Sequence, residues 1–564
     1  MIIPNIWGQG QLFAFSALDG QTSRVADFCG TLCGDRIGIL FHTKIRRALA
    51  IVGFEAEEVT FRAVCGDWIL ADTSAGFLRI LFHKAHLVIG EVPEGGLAAV
   101  FTEGKHTAKE FGRAIVQDTE DGEYTALCSE GRRFAFAYGQ SLEAAAQLAE
   151  SGLQMDLNAA EDRKLSFYRM HGIEGKYEQL YAKCLSVMRT QLFSPEEKFT
   201  GIWSTPDRLP HRDLFLWDSA FHSVGFRNMD GSVAESVLLA VFAYQLENGM
   251  ISCRVKLTEN GVVQSEESQP PILAWGAWRV YEKTKNKAFL KEFFGKNKAF
   301  LQWCQKNRQY RENLYAWYID EDYLICRCGE SGMDNSPRFD DTKHLLAIDF
   351  SCFMANEMRY MAKIAREIGE EAESFEADFG KIKEAINTVL WDAETGMYFD
   401  YDADRERIHR VKSVASFLPL FAGVCDNEKA ELLAAHLKNP MEFNTEVPVP
   451  SIAKEDATYG SDMWRGPVWL NFNYMICEGL RTYGEDALAD AIAEKMLSVV
   501  EEWYEKTGVV FEFYDPENKK APSRLRRKGD PIEPYDMRVR VQAIRDFGWS
   551  CCLTLDMIVA TNKK

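Results

Sequence analysis

The spacing of apolar residues changes near residue 170, and this change constrains the fold of the 564-residue chain more than any other feature. Before it, short β-branched and aromatic runs recur about every 8–12 residues with Gly, Asp or Pro between them, which is typical of a β-sandwich. After it, apolar residues repeat about every 3.6 positions, as on a helix buried along one face. One such face carries Tyr177, Leu180, Tyr181, Cys184 and Met188.

The first region predicts ten strands, at 36–42, 48–54, 58–65, 68–72, 77–83, 86–92, 97–102, 113–118, 124–129 and 132–138. The second predicts twelve helices, at 175–192, 217–228, 232–248, 270–284, 287–306, 345–369, 371–391, 412–423, 426–438, 463–483, 485–507 and 544–560. Pro270-Pro271 suits the first turn of one helix, and Asp426 suits an N-cap.

Twelve helices joined by alternating short and long loops are typical of an (α/α)6 barrel, although a helical solenoid would give the same count. No self-similarity at a spacing of about 34 or 40 residues is visible, which disfavours a solenoid. We therefore predict an N-terminal β-sandwich domain over 1–160, a helical linker over 161–200 and an (α/α)6 barrel over 201–564. The two domains are expected to pack together, because the linker is rich neither in Gly and Ser nor in Pro.

Composition excludes several classes of function. A net charge of −19 repels phosphate backbones, so we expect no nucleic-acid partner. Charged residues interrupt every apolar run well short of the ~20 residues that a membrane span needs, so we expect no membrane partner. The start of the chain, 1–16, lacks the basic and apolar regions of a signal peptide.

The 14 cysteines are scattered through apolar patterns, which predicts buried free thiols in a reducing compartment. Together with the absence of a signal peptide, this predicts a cytoplasmic protein. Neither the cysteines nor the 10 histidines show the spacing of a metal site. We expect no metal and no cofactor.

Five segments interrupt aromatic runs with polar residues, four of them where helices are expected to begin. They are spread over about 300 residues of sequence, so they converge only if the helices close into a ring with these loops on one face. The segments are 211–219, 267–271, 330–338, 463–469 and 510–516.

On these segments the helical part resembles the catalytic domain of glycoside hydrolase family 63, the inverting α-glucosidases of the (α/α)6 barrel clan. The resemblance covers about 200–560, with the matching strings in the family's order. They are LWDSAF (216–221), SQPPILAWGAW (268–278), ESGMDNSPRFD (330–340), DMWRGPVWLNFNYM (462–475), FEFYDP (511–516) and FGWS (547–550).

Cleavage of a glycosidic bond needs one carboxylic acid to protonate the leaving oxygen and a second carboxylate to activate water or attack the sugar. The resemblance implies that Asp334 is the acid and Glu512 the base. Taken alone, Asp334 also fits a turn or helix cap, and Glu512 also fits an exposed residue of an extended segment.

The resemblance also implies a sugar-binding set around the carboxylates. Each member has a purely structural reading as well: Asp218 as a residue at a helix start, a tryptophan as core, and Arg465 as the partner of a carboxylate inside the barrel. Asp349 and Asp392 are interpreted as caps or turns. The implied substrate-binding residues are Trp217, Asp218, Gln269, Trp275, Trp464, Arg465 and Gly466.

The favoured function is an inverting exo-acting α-glycosidase that removes a terminal α-glucosyl unit from a small glucoside or oligosaccharide. One alternative is a sugar epimerase or uronyl lyase on the same barrel, which would need His or Tyr bases at its mouth. Another is an inactive carbohydrate-binding barrel, which would not need a second carboxylate. The expected partner is a small carbohydrate, and the sequence leaves the linkage, the leaving group and the oligomeric state open.

A basic stretch departs from the family pattern. Between 519 and 528 it holds six Lys or Arg in an acidic chain. A solvated loop explains it, and so does a loop that binds an acidic leaving group through an Arg fork. For the second reading, Arg524 and Arg526 are the candidates.

Overall fold

The computed structural model describes residues 12–562 except 34–37, 44–46, 57, 312, 324 and 534–538. Residues 1–11, on which most of the signal-peptide expectation rests, lie outside the described residues. So do 36–37, the start of the first predicted strand.

Thirteen antiparallel strands of the described residues form two sheets at the N-terminus. Their order is β1-β2-β3-β4-β9 in the smaller sheet and β10-β11-β12-β13-β8-β7-β6-β5 in the larger. The strands are β1 (Leu12–Phe13), β2 (Cys29–Cys33), β3 (Gly38–His42), β4 (Arg47–Gly53), β5 (Val59–Cys65), β6 (Trp68–Thr73), β7 (Gly76–Lys84), β8 (Leu87–Glu91), β9 (Leu97–Thr102), β10 (Thr107–Phe111), β11 (Ala114–Asp118), β12 (Tyr124–Glu130) and β13 (Arg133–Gly139).

The two sheets bury an aromatic core between them. The Phe28 ring lies 5.0 Å from that of Phe41, which lies 4.9 Å from that of Phe136. Alternation along β13 sends Phe134 and Phe136 into this core, while Ala135 and Ala137 face the opposite side of the sheet. These small residues let the first helix pack closely against the sheet. The predicted β-sandwich is confirmed.

The helices of the described residues follow the predicted positions closely. They are α1 (Leu142–Leu153), α2 (Leu157–His171), α3 (Glu178–Thr190), α4 (Leu216–Phe226), α5 (Gly231–Leu239), α6 (Leu273–Thr284), α7 (Lys287–Arg308), α8 (Ile348–Ile368), α9 (Glu373–Val389), α10 (Leu418–Ala422), α11 (Asn427–Lys438), α12 (Leu470–Thr482), α13 (Asp486–Thr507) and α14 (Gly548–Thr561).

Six helices form a closed inner ring, because α4, α6, α8, α10, α12 and α14 each contact the next and α14 returns to α4. Helices α3, α5, α7, α9 and α13 pack outside this ring. At the closing contact, a side chain at Gly225 of α4 would lie 2.6 Å from the Cα of Cys552, so only glycine fits there. The helical part is an (α/α)6 barrel, as predicted.

Several details differ from the sequence prediction. Strands β1 and β2 were not predicted, and the predicted helix at 232–248 is α5, which ends at Leu239 and is followed by a 3-10 turn. The strand β10 was not expected, since it is an edge strand whose residues are all exposed and lack alternation. The predicted helix at 412–423 is a short 3-10 turn followed by α10, and the one at 463–483 begins only at Leu470, after Gly466-Pro467. Pro270-Pro271 precedes α6 and does not form its first turn, whereas Asp426 caps α11 by accepting from the Lys429 N–H.

Short strands and 3-10 turns connect the barrel helices. The strands are β14 (Leu192–Phe193), β15 (Trp203–Ser204), β16 (Leu214–Phe215), β17 (Arg254–Thr258), β18 (Gly261–Gln264), β19 (Gln309–Arg311), β20 (Leu314–Tyr315), β21 (Leu345–Leu346), β22 (Trp391–Asp392), β23 (Met397–Tyr398), β24 (Asp400–Asp402) and β25 (Arg407–His409). The 3-10 turns are Ala240–Phe242, Gly329–Ser331, Pro337–Phe339, Val414–Phe417 and Pro522–Arg524.

The thirteen cysteines whose side chains the structure describes are free thiols, as predicted. Within the described ranges, none of the helices combines the length and the apolar character needed to span a bilayer. The domain limits at 160 and 200 and the cytoplasmic location stay predictions.

A buried ionic network joins the two parts of the chain. Asp67, between β5 and β6, accepts from the Lys164 ammonium of α2 at 2.5 Å and from the Arg189 Nε of α3 at 3.0 Å. All three side chains are at most 5% exposed, and Asp19 binds the same two cations. A cation buried without a partner is costly, so this network fixes the sheet against the helices.

We expect Asp67→Ala to lower the free energy of unfolding by about 3 kcal/mol, the lower end for breaking a buried ion pair, because Asp19 remains. Urea unfolding measures the change. The control is Arg62→Ala, which removes an exposed pair with Asp72 and is expected to cost less than about 1 kcal/mol. Equal effects of the two substitutions would contradict the role assigned to the network.

Candidate active site

A cavity of about 210 Å³ lies where the inner helices begin. Helix N-termini carry a partial positive charge that favours carboxylates. The segments that enter α4, α6, α8, α12 and α14 all contribute to the lining. It consists of Pro206, His211, Phe215, Trp217, Asp218, Cys253, Arg254, Ser265, Glu267, Gln269, Cys326, Gly329, Gly332, Asp334, Met463, Trp469, Glu512, Arg527, Lys528, Arg540, Phe547 and Trp549.

Five of the nine predicted site residues meet in this cavity: Trp217, Asp218, Gln269, Asp334 and Glu512. The backbone N–H of Trp217 donates to the Gln269 side-chain oxygen at 3.2 Å, which links α4 to the segment before α6. The Trp217 ring meets the Trp549 ring edge to face at 5.3 Å. Two aromatic walls of this kind suit the weakly apolar face of a sugar ring.

Asp334 lies in a loop that a buried arginine holds in place. The Arg338 guanidinium binds Asp349 through both terminal nitrogens, at 2.7 and 2.9 Å, and Asp400 through Nε and Nη2, at 2.8 and 2.7 Å. Asp349 therefore does more than start α8, which was the sequence interpretation. Gly332 brings the loop against the indole: its φ is +72°, and an added Cβ would lie 2.4 Å from the Trp217 ring.

Glu512 lies in an extended segment and its side chain is buried. Its N–H donates to the Ile544 carbonyl at 2.9 Å, and the Ile544 N–H returns to the Glu512 carboxylate at 3.3 Å. Its neighbours Phe511 and Phe513 are also buried. The segment is thus interior, although the sequence alone also fitted a surface position.

The basic stretch ends inside the cavity. The Arg527 Nε donates to the Glu512 carboxylate at 2.8 Å, and the Lys528 ammonium lies 2.5 Å from the Asp334 carboxylate. The sequence prediction chose the wrong arginines within this stretch: Arg524 pairs with Glu533 and Arg526 with Asp530, both at the exposed surface.

Two further carboxyl groups line the cavity without a cation within salt-bridge distance among the described residues. Burial, with a smaller effect from the nearby Glu512, raises the pKa of Asp218 well above its usual value. Burial and the nearby Glu330 and Asp334 raise the pKa of Glu267. The cavity therefore favours the protonated form of a carboxyl group that has no cation beside it.

Four predicted residues do not line the cavity. Trp275 is fully buried deeper in the barrel, where its indole N–H donates to Glu478 at 2.9 Å, so the expectation that it contacts sugar is corrected. Trp464 is buried behind the wall, stacked at 4.0 Å on Trp469, which does line the cavity. Its backbone N–H donates to the Asn335 side chain, so it supports the acid loop.

Arg465 and Gly466 also act outside the cavity. The Arg465 guanidinium binds Asp340 at 2.5 Å in a partly exposed pair, so it has a carboxylate partner, though not one inside the barrel. Gly466 has a φ of +126°, and an added Cβ would lie 2.0 Å from the Gly460 carbonyl oxygen. The strong sequence signal at 464–466 therefore reflects the packing of a loop.

Several lining residues were not singled out from the sequence. Trp469 and Trp549 stand inside the matching strings, and Lys528 and Arg527 end the basic stretch, so each had a signal. His211 is buried and bound through Nδ1 to Asp207 at 2.6 Å, and burial lowers its pKa. Arg540 had no signal, because it belongs to no string or charge run.

A larger cavity, of about 740 Å³, is lined by residues from the C-terminal halves of the inner helices α6, α12 and α14. Its carboxylates are engaged in ion pairs, including Glu478 with Arg279 and Asp556 with Arg227. The smaller cavity alone joins the predicted acid and base. We therefore assign the candidate active site to it.

The family model for the mannosylglycerate hydrolase MGH1-like glycoside hydrolase domain matches residues 211–550, which contain the acid loop, the base and every other segment of the cavity except Pro206. The chain belongs to this glycoside hydrolase family. The resemblance to glycoside hydrolase family 63 is thereby confirmed, and membership of a hydrolase family disfavours the epimerase and lyase alternatives.

Individual relatives agree. A mannosylglycerate hydrolase of Rubrobacter radiotolerans is 32% identical over 199 residues, 34% of this chain and 44% of that protein. The family 63 mannosylglycerate hydrolase of Thermus thermophilus in complex with glucose superposes with a TM-score of 0.55 at 25% identity, covering 67% of this chain and 99% of that one.

A bacterial glucoamylase complexed with acarbose superposes with a TM-score of 0.59 over 100% of this chain and 96% of its own. At 13% identity this likeness concerns the fold alone. It covers the N-terminal strands as well as the barrel, so the combination of the two parts recurs in another protein.

We expect Asp218→Asn to stabilise the protein at neutral pH. The pKa of Asp218 is higher in the folded chain than in the unfolded one. At a pH between these two pKa values, the unfolded chain has released the Asp218 proton and the folded chain still holds it. The free energy of unfolding therefore falls as the pH rises through this range. Asn does not ionise, so the gain of the variant in unfolding temperature should grow from pH 4 upwards. A gain that does not change with pH would contradict this.

Asp556→Asn is the control of opposite sign. Burial raises the pKa of Asp556, but Arg227 and Arg279 lower it by more, so the net pKa lies below the usual value. The ionised Asp556 therefore stabilises the folded chain above the pKa of the unfolded state, and this stabilisation is lost as the pH falls through the pKa of the folded state. The variant should therefore unfold at a lower temperature than the wild type at pH 7, and the deficit should shrink in acid.

Proposed function

We propose that the protein is an inverting exo-acting α-glycosidase that hydrolyses an α-hexosyl hydroxy acid, with Asp334 as general acid and Glu512 as general base. The observation that carries the proposal is that these two carboxylates, 178 positions apart in the sequence, line one small cavity together with aromatic walls and cations. The names of the relatives, mannosylglycerate hydrolases, describe a sugar joined to a carboxylic acid.

In the proposed mechanism, Asp334 gives its proton to the glycosidic oxygen while Glu512 takes a proton from water, which attacks the anomeric carbon from the opposite face. Glu512 must be ionised to accept that proton, and Arg527, which keeps its charge at any physiological pH, supports this state. Trp217 and Trp549 provide faces for the hexose, and Asp218 and Gln269 provide acceptors or donors for its hydroxyl groups.

An acidic leaving group is favoured by the cations of the cavity. Arg540 lines it, and among the described residues it has no ion pair. Burial and the neighbouring Arg527 lower the pKa of Arg540, as expected for a cation that lacks a close counter-ion. A carboxylate on the substrate would supply that counter-ion through two parallel hydrogen bonds.

We expect Asp334→Asn and Glu512→Gln each to lower kcat by at least ~10²-fold, the low end for losing a general acid or base. NMR of the first sugar released from an α-glycoside should show the β-anomer. Release of the α-anomer at early times would mean retention and would contradict the roles of both residues. Both substitutions preserve side-chain shape, so unfolding temperatures report whether the variants are intact.

We expect Arg540→Ala to lower kcat/KM for an α-mannosyl or α-glucosyl glycerate by ~10- to 150-fold, the equivalent of ~1.5–3 kcal/mol for a charged hydrogen bond. The matched α-hexosyl glycerol, which lacks the carboxylate, should be unaffected. Arg524→Ala, at the exposed part of the basic stretch, is the control. Comparing mannosyl with glucosyl substrates identifies the sugar, and equal losses on acidic and neutral substrates would exclude Arg540 as the carboxylate contact.

A further inference from the structure

The ion pair between Lys528 and Asp334 is in conflict with the role of Asp334 as an acid. The ammonium lies 2.5 Å from the carboxylate, and the two side chains are 25% and 14% exposed. Burial lowers the pKa of Lys528, but the nearby Asp334 raises it by more, so the net pKa lies above the usual value and the lysine keeps its charge. The ammonium occupies the carboxylate oxygen that would have to hold the proton for the leaving oxygen, so the pair as it stands opposes proton transfer from Asp334.

The surroundings show what happens to a carboxyl group in this cavity without such a partner. Asp218 and Glu267 line the same cavity, and burial raises the pKa of each. The groups that face Asp334 include Cys326 of its own loop, Cys253 and Glu267 from the segments before α6, and Arg527 beside Lys528. Of these, only Arg527 is a cation, and it is bound to Glu512.

The Lys528 side chain has little besides Asp334 to hold it in this position. It belongs to a connecting loop and is 25% exposed. Its other contact is the Cys326 sulfur, 3.8 Å from the ammonium, which is a weak acceptor. Arg527, in contrast, is buried and fixed on Glu512. The two adjacent cations thus have opposite effects: one supports the base, and the other disables the acid until it moves.

We propose that Lys528 is a second specificity-determining residue of this site, beside Arg540: it pairs with Asp334 in the free enzyme, and the carboxylate of an acidic leaving group draws it away. This inference rests on the proposed function and adds how a neutral glycoside is rejected. A neutral leaving group offers no anion for Lys528, so Asp334 stays in its ion pair. An acidic one replaces Asp334 as the counter-ion of the lysine.

Charges and protons balance through this exchange. Lys528 remains an ammonium throughout and passes from one carboxylate to the other. Asp334, left without its cation in a cavity that favours neutral carboxyl groups, takes a proton from the solvent and later gives it to the glycosidic oxygen. The attacking water gives its proton to Glu512, which releases it to the solvent after the products leave, while Lys528 returns to Asp334. One proton is thus taken from the solvent and one is given back, so the net reaction is the addition of one water to one glycoside.

The test compares kcat/KM for an α-hexosyl glycerate and the matching α-hexosyl glycerol in the wild type, Lys528→Ala and Lys528→Gln. The neutral substrate should be cleaved at least ~10-fold faster by both variants, and the acidic one more slowly, so that the acidic-to-neutral ratio falls by at least ~10-fold. Arg524→Ala, also in the 519–528 stretch, is the matched control and should leave the ratio unchanged.

A second readout separates release of the acid from a general structural effect. With the neutral substrate, the alkaline limb of the kcat/KM profile should lie at higher pH in the Lys528 variants than in the wild type, because no ammonium then competes with the proton for the acid. Unchanged ratios and profiles, or equal losses on both substrates in folded variants, would overturn the inference. If the wild type cleaves neither glycoside, it is the proposed function that fails.

Discussion

The position of Asp334, the proposed catalytic acid, depends on one buried guanidinium. Arg338 lies within five residues of Asp334 and binds two carboxylates, Asp349 at the start of α8 and Asp400 in β24. Two anions around one cation would leave an excess of buried negative charge. The Trp317 indole N–H and the Ile348 N–H offset that excess by donating to the same carboxylates. Every donor of the guanidinium is used, so the loop has a single arrangement.

This constraint extends to the rest of the cavity. With the loop fixed, Gly332 lies against Trp217, and Asn335 accepts from the Trp464 N–H. The acid loop therefore links the first inner helix to the segment that precedes the fifth. A site assembled from separate segments needs such links, because a displacement of a reacting group by about 1 Å can remove a large part of the catalytic rate.

The sequence predicted the architecture well because both parts obey a simple period. The strands and helices appear within a few residues of their predicted limits, and the exceptions have local causes, such as the fully exposed β10 and the Gly466-Pro467 pair before α12. Within the candidate site, strings of residues pointed to the proposed acid, the proposed base and the residues at the start of α4, all of which line the cavity. Trp275 and Trp464 stand in equally strong strings, yet they pack behind the cavity, because a string records that a residue is constrained and not which way it points. Arg540 belongs to no string, and only the folding of the chain brings it to the cavity.

The closing contact between α14 and α4 has a consequence for how the protein is made. Phe547 and Trp549, at the start of α14, form part of the cavity wall, and α14 is the helix that completes the ring. Neither the wall nor the ring exists while α14 is still inside the ribosome. Until α14 has left the ribosome, the first five inner helices therefore keep the apolar surface that α14 covers open to water. This stage of synthesis is when the chain most needs protection from aggregation.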